Sequence, residues 1–390
     1  MKKSLLALAA LTAFAGVASA QSSVTVFGGI DLAARNVKNG PAGSIKSLSS
    51  DGNYSSRLGF RGVEDLGGGL KAGFWLEGGL GADTGGFGSP TATWNRRATA
   101  SLMGDFGEIR LGRDYTPTFW NHTQFDPFGT NGVGNANNLI GTGAVTGAAA
   151  ATNTTRVLGV PGAASGGDPR TGTFVRADNS IGYHLPALGG LYGQVMVAAG
   201  EGQIGNKYTG ARLGYSAGPV NVAAAFGKTD LVKDSLKAFN IAGSFNAGFA
   251  TFIGMYINYK VGGTEPQTAA GTTTNGSYGN PSNRDLKNYL LGALVPLGQG
   301  TFKFSFAKTK GDLNAGNGAA APTAKDASAT QIALGYVYDL SKRTSLYTHY
   351  STIKNKKGAH FYASGSGPAY ANTTADFTSS GYEFGIKTTF

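Results

Sequence analysis

The chain has 390 residues, a formal net charge of +11 and no cysteine; only 14% of residues are charged, while Gly occupies 63 positions alongside 17 Tyr and 22 Phe. The lack of cysteine excludes a disulfide-stapled secreted scaffold, and so little charge is unusual for a soluble surface. The cations are spread singly rather than in blocks, which argues against a nucleic-acid patch and leaves a solvated surface or a basic lumen.

In chain order, residues 1–20 read as a cleaved signal peptide. Lys2 and Lys3 are followed by the apolar run Leu5–Val17 and the small-residue site Ala18-Ser19-Ala20. Losing those two lysines lowers the charge from +11 to +9 and starts the mature chain, a single domain over 21–390, at Gln21. No later stretch approaches the ~20 apolar residues that a membrane helix needs.

A first strand alternates at Val24, Val26, Gly28, Ile30 and Leu32, and Asn36–Asn53 reads as a polar loop. In Ser56–Leu66, Leu58 and Phe60 oppose Arg57 and Arg61; Gly67-Gly68-Gly69 then turns into Leu70–Leu80, where Ala72, Phe74 and Leu76 oppose Lys71, Trp75 and Glu77. This period of two belongs to strands and not to helices. The same rhythm recurs: Asn95–Leu102 with Gly107–Arg113, Asn179–Pro186 with Leu191–Ala199, Tyr208–Ser216 with Val220–Gly227, Leu236–Phe245 with Ala250–Lys260, Leu286–Val295 with Thr301–Thr309, Gln331–Asp339 with Thr344–Ile353, and finally Tyr382–Phe390.

These runs make about sixteen strands joined by alternately short and long connections, the pattern of an outer-membrane barrel. A soluble β-sandwich would carry more charge outside and keep no such rhythm. The expected fold is therefore all-β, a closed transmembrane antiparallel barrel, because open edges in lipid would leave backbone groups unpaired. Asp114–Gly172 lacks a strand pattern of its own and carries Trp120, His122, Phe125, Asp126, Pro127, Phe128 and Gly129 before a Gly/Ala/Asn/Thr tract. A loop of that length is usually functional or disordered, and its aromatic, acidic part is expected to fold into the lumen.

Several signals carry little. Gly200-Glu201-Gly202-Gln203-Ile204-Gly205 spells a dinucleotide fingerprint but has no helix after it. His122, His184, His349 and His360 lack ligand spacing, so no metal or cofactor is implied, and no catalytic constellation stands out. The positive signal is cationic. Arg57, Arg212, Lys303 and Lys387 oppose apolar faces, while Arg61, Lys71, Arg96, Arg97 and Arg176 lie on or beside strands. Apolarity alone does not decide between Arg96 and Arg97. Glu77 and Asp126 are the candidate carboxylates facing an arginine wall, and a ring of Arg or Lys in a pore favours anions.

Ser56-Arg57-Leu58-Gly59-Phe60-Arg61-Gly62-Val63-Glu64-Asp65-Leu66-Gly67-Gly68-Gly69-Leu70 resembles the second-strand signature of Gram-negative general diffusion porins, especially the β-proteobacterial type. Asn95-Arg96-Arg97, Gly104-Asp105-Phe106-Gly107, Leu111-Gly112-Arg113, Arg176-Ala177-Asp178-Asn179-Ser180-Ile181 and terminal Phe390 look like further landmarks. The resemblance implies a sixteen-stranded homotrimeric barrel in the outer membrane, with its third outer loop folded inward. Arg57, Arg96 and Arg176 would form the basic side of the constriction, with Glu77 and the loop's acid facing them. Asp126-Pro127-Phe128-Gly129 stands where the family's loop tip reads Pro-Glu-Phe-Gly, and Gly132–Gly167 would lie over the mouth or stay mobile. Phe390 would be the signal read by the barrel-assembly machinery, with outer-membrane lipid and lipopolysaccharide around the barrel. The function expected is passive diffusion of ions and small hydrophilic solutes, with anion preference. The alternatives are a channel selective for a phosphate or carboxylate nutrient and a structural or adhesive barrel.

Overall fold

A computed structural model describes residues 23–88, 92–140, 144–145, 155–156, 174–202, 207–230, 235–261, 284–314, 323–359, 361–363 and 376–390. Residues 1–20 and most of the Gly/Ala tract lie outside them.

Sixteen strands close into an antiparallel barrel: β1 (Ser23–Asn39), β3 (Arg57–Gly67), β4 (Leu70–Gly81), β6 (Arg97–Gly104), β7 (Gly107–Tyr115), β10 (Arg176–His184), β11 (Leu191–Ala198), β12 (Tyr208–Ala217), β13 (Val220–Asp230), β14 (Ser235–Asn246), β15 (Thr251–Val261), β16 (Arg284–Leu297), β17 (Gly300–Asn314), β18 (Thr323–Asp339), β19 (Thr344–Lys356) and β20 (Thr378–Thr389). The short strands β2 (Ser44–Ser50), β5 (Gly86–Phe87), β8 (Ala144–Val145) and β9 (Thr155–Arg156) lie in the loops, β8 pairing with β9. Closure runs from Gly29↔Thr389 to Asn39↔Ser379 between β1 and β20, so each barrel strand finds partners on both sides and no edge is left open.

Most of the barrel strands present one apolar, exposed face. Val222 and Phe226 on β13, Ile241 and Phe245 on β14, Leu291 on β16 and Phe384 on β20 are all exposed. Ala223, Ala225, Asn240, Leu290 and Glu383 alternate with them and are buried. Exposed apolar residues outside and buried polar ones inside reverse the pattern of a soluble domain, as lipid around the wall requires.

Two expectations are corrected. The first strand does not stop at Leu32, and Asn36–Asn53 is not simply a polar loop: β1 continues to Asn39 and β2 folds back on it from Leu32↔Ser50 to Lys38↔Ser44. Polar residues alternating around Ile45 and Leu48 still form a ladder when a neighbouring backbone supplies the hydrogen bonds. The segment after β7 begins with a helix. Thr116 caps the helix α1 (Pro117–Gln124) by accepting from the Phe119 N–H at 3.4 Å, with Pro117 in the first turn.

Candidate functional site

Five polar side chains from β3, β4, β7, β10 and the turn before β6 meet. The Glu77 carboxylate is 7% exposed. It accepts from Arg96 Nε at 2.6 Å, Arg57 Nη1 at 3.0 Å and Trp75 Nε1 at 3.0 Å. The Tyr115 hydroxyl accepts from Arg96 Nη2 at 3.1 Å and Arg176 Nη2 at 3.0 Å. Arg176 also donates from Nε to the Arg96 carbonyl at 2.8 Å and lies 4.4 Å over the Tyr115 ring. A bulge between Ala177 and Ser180, with Asn179 at φ 51°, breaks the β7–β10 register just after Arg176 and sets its position. Arg57 is stacked 4.2 Å over Tyr54. The loop bearing Tyr54 is pinned by the buried Asp31, which accepts from the N–H groups of Gly52, Asn53 and Tyr54 at 3.0, 2.9 and 2.8 Å and from the Tyr347 hydroxyl.

The charge balance is lopsided: three half-buried guanidiniums share one carboxylate and one phenol. Their fixed orientation means they need not reorganise when an anion approaches. Arg97 points to the same side as Arg96 and lies one layer further along the wall, 4.4 Å over Trp75, 3.1 Å from Thr99 Oγ1 and 3.9 Å from Asp114. Arg61 faces the Trp75 and Phe27 rings at 5.1 and 5.3 Å. Arg110, not singled out by sequence, joins this layer through Glu108 at 2.9 Å and Asp114 at 2.5 Å.

The segment after Tyr115 rests on the faces of β11 to β20 opposite the exposed apolar one. Asn121 Nδ2 donates to Asn240 Oδ1 at 2.7 Å and the Ala223 carbonyl at 3.2 Å, and Arg212 donates to Asn121 Oδ1 at 3.1 Å and to Gln124. Pro127 sits where a Cβ on Gly292 would be, and Phe128 meets His349 edge-on at 5.2 Å. Lys303 lies 5.6 Å over the Phe128 ring and donates to Asn53 Oδ1 at 2.8 Å.

Further along, the Gly132 N–H donates to the Asp51 carbonyl at 3.0 Å, the Val133 N–H to Glu383 Oε1 at 3.1 Å, and Gln331 to the Gly134 carbonyl at 2.9 Å. Glu383 is itself held by Arg35 at 2.7 Å and His349 at 3.0 Å. Ile253, Met255, Ile257, Leu286 and Leu290 point to this side and are buried in one cluster with Phe119, Phe125, Leu139 and Ile140.

Asp126 is held by its own loop. It is 5% exposed, and its oxygens accept from the N–H groups of Phe128 at 3.0 Å, Thr130 at 3.0 Å and Ala136 at 2.9 Å. A carboxylate wrapped by three amides braces its own loop. The Gly132–Gly167 expectation changes at its start, where Gly132–Ile140 is docked and includes the 3₁₀ turn Ala136–Leu139; its other residues, apart from β8 and β9, lie outside the described ones. Lys71 and Lys387 stay apart from the arginine cluster: Lys71 is exposed near a short turn, and Lys387 lies within electrostatic reach of Lys303. Phe390 exchanges backbone hydrogen bonds with Gly28 at 3.1 Å, in line with the closing strand pair.

His122 on α1 is fully buried against Phe119, and burial pushes its imidazole down to about 4. Among the described residues no group of three His, Cys, Asp or Glu side chains is placed to hold a metal ion. Tyr115, Asp31 and the Glu383–His349 pair escaped the sequence reading. For the buried face the available signal was apolarity on both sides of Thr251–Val261, where Phe252 and Tyr256 alternate with Ile253, Met255 and Ile257.

Residues 7–358 match the family model described as Gram-negative porin. The chain is 34% identical to outer membrane porin protein 32 of Delftia acidovorans, with 100% of both chains covered. It is 28% identical to an outer membrane porin protein of Bordetella pertussis over 91% of this chain and 95% of that one. Among solved structures, an anion-selective porin from Comamonas acidovorans superposes with a TM-score of 0.71 at 32% identity, covering 95% of this chain and 100% of that one. The chain belongs to the Gram-negative porin family and forms an outer-membrane porin channel.

Proposed function

We propose that the barrel is a passive, water-filled channel for ions and small hydrophilic solutes. Segment 117–140 occupies the lumen, and the Arg57–Arg96–Arg176 cluster forms the basic side of the narrow point. Arg97 and Arg61 extend the cationic wall beyond it. One observation carries the reading of the segment: buried apolar side chains on the pore face, Ile253, Met255 and Leu290 among them, need a cover, and Phe119, Phe125 and Leu139 supply it. The anion preference rests on three clustered arginines that share a single carboxylate, two of them paired to Glu77 and Arg176 held on the Tyr115 hydroxyl, and the name of the Comamonas relative agrees with it.

Ions would cross without chemistry. Size exclusion comes from the segment, and sorting comes from a fixed positive field that raises local anion concentration and repels cations. Residues 1–20 would be removed as a signal peptide, Phe390 would be read during barrel assembly, and three copies would assemble in the membrane. Conductance in planar bilayers tests this directly. Replacing chloride with a bulky organic anion should depress the current far more than replacing potassium with a bulky organic cation. The reverse order would sink the anion reading, and saturable block by phosphate or a carboxylate would favour a nutrient-selective channel.

A further inference from the structure

Tyr115, the last residue of β7, joins the arginine cluster to the segment that follows it. Its ring centre lies 5.0 Å from that of Phe119 and 5.0 Å from that of Trp120, edge-on to the latter. The Arg176 guanidinium covers the ring at 4.4 Å. The backbone N–H of Tyr115 donates to Asp114 Oδ1 at 2.7 Å. Ring and backbone are both held, so the hydroxyl keeps one position instead of swinging freely.

A phenol oxygen has lone pairs to accept with and one proton to give. Its acceptor places are filled by Arg96 Nη2 at 3.1 Å and Arg176 Nη2 at 3.0 Å. Among the described residues no group accepts the proton in return. Glu77, the carboxylate of the cluster, already takes donors from Arg96, Arg57 and Trp75. Tyr115 is half-buried, whereas Asp114, Thr116 and Phe119 beside it are buried. The proton is therefore left for whatever stands in the channel. Two guanidiniums on the oxygen also polarise the O–H and strengthen it as a donor.

Charge and hydrogen bonding sort anions differently. The three arginines attract small monovalent anions through a common positive field. A neutral donor adds a preference for anions whose oxygens accept strongly, because it replaces water lost at a narrow point. We propose that the Tyr115 hydroxyl is a specificity-determining donor of this channel, favouring strongly accepting anions such as carboxylates over weakly hydrated ones. This rests on the reading of the Arg57–Arg96–Arg176 cluster as the narrow point.

Formate and nitrate are suitable probes, being planar oxyanions of equal charge and similar size that differ in acceptor strength. Biionic reversal potentials of single channels of the purified protein give the formate-to-nitrate permeability ratio, and a KCl gradient gives the preference for anions over cations. Tyr115→Phe keeps the ring and every charge. It should lower the formate-to-nitrate ratio about threefold or more and leave the KCl reversal potential within about 5 mV. An unchanged ratio overturns the proposal. So does a KCl potential that moves together with the ratio, since Tyr115 would then only prop the arginines. The unaltered channel gives a second readout that needs no variant. A positive field alone passes the less hydrated nitrate more readily, so with the donor present formate should at least equal nitrate. A nitrate preference of about threefold or more contradicts the donor. A cation-preferring KCl potential in the unaltered protein would overturn the anion reading itself, and this proposal with it.

Discussion

Neutralising the arginine cluster is the sharpest perturbation of the channel, and the geometry dictates how to do it. Removing Arg57, Arg96 and Arg176 alone would leave Glu77, 7% exposed, without its cationic partners, a costly buried charge. The suitable variant is R57Q/R96Q/R176Q/E77Q, which removes three positive charges and one negative. For an ion passing about 7 Å away in water, each net charge contributes about 0.6 kcal/mol before screening, and about half of that at physiological salt. Two net charges therefore change the anion by about 0.6 kcal/mol and the cation by the same amount in the other direction, roughly eightfold in relative permeability. In a tenfold salt gradient that is roughly 40 mV of reversal potential, on the scale of 59 mV per decade for a monovalent ion. The assay is single-channel recording with wild type and variant side by side. A shift below about 5 mV with conductance preserved would refute the assignment and move selectivity to Arg212, Lys303 and Lys387.

Other consequences follow from the segment. Gly292→Val would place side-chain atoms in the Pro127 ring, so the tip should lift and single-channel conductance should rise with little change in reversal potential; unchanged conductance would mean that the tip does not narrow the pore. Asp126→Ala removes the acceptor of three amides and should destabilise the loop by about 1–3 kcal/mol, seen as greater current noise at nearly constant selectivity. A large loss of anion preference instead would return Asp126 to the pore electrostatics. Burial lowers His122 to about 4 from an ordinary 6.5, so the released segment binds more protons than the docked one between those values. Docking should therefore weaken as pH falls from about 6.5 to about 4, by up to about 3 kcal/mol. Amide exchange over 117–140 should speed up across that range in wild type and stay flat in His122→Phe; equal behaviour would refute the linkage.

The wall was legible because lipid imposes a strict alternation. Leu58 and Phe60 on one side of β3 leave no choice about where Arg57 points, and the same rule places Glu77 and Arg212. Where that rule lapses, so does the reading. Arg96 lies in the turn before β6, outside any strand, and only the positions of Glu77 and Tyr115 orient it. The polar residues of β2 carry no lipid signal, so their pairing with β1 depends on a neighbour that local sequence does not reveal. The docking of the segment was least legible, because its partners are remote in the chain: Val133 meets Glu383, and Asn121 meets Asn240. Asp126 shows the limit of composition, since a carboxylate in an aromatic loop serves equally well as a pore charge or as a brace for amides. Three amide donors converging on its oxygens show the brace.

The most direct measurement is the zero-current potential of single channels of the unmodified mature protein under a KCl gradient. The account requires a stable current whose reversal potential carries the sign of chloride preference. A cation-preferring sign, or insertion into the bilayer without current, would contradict it.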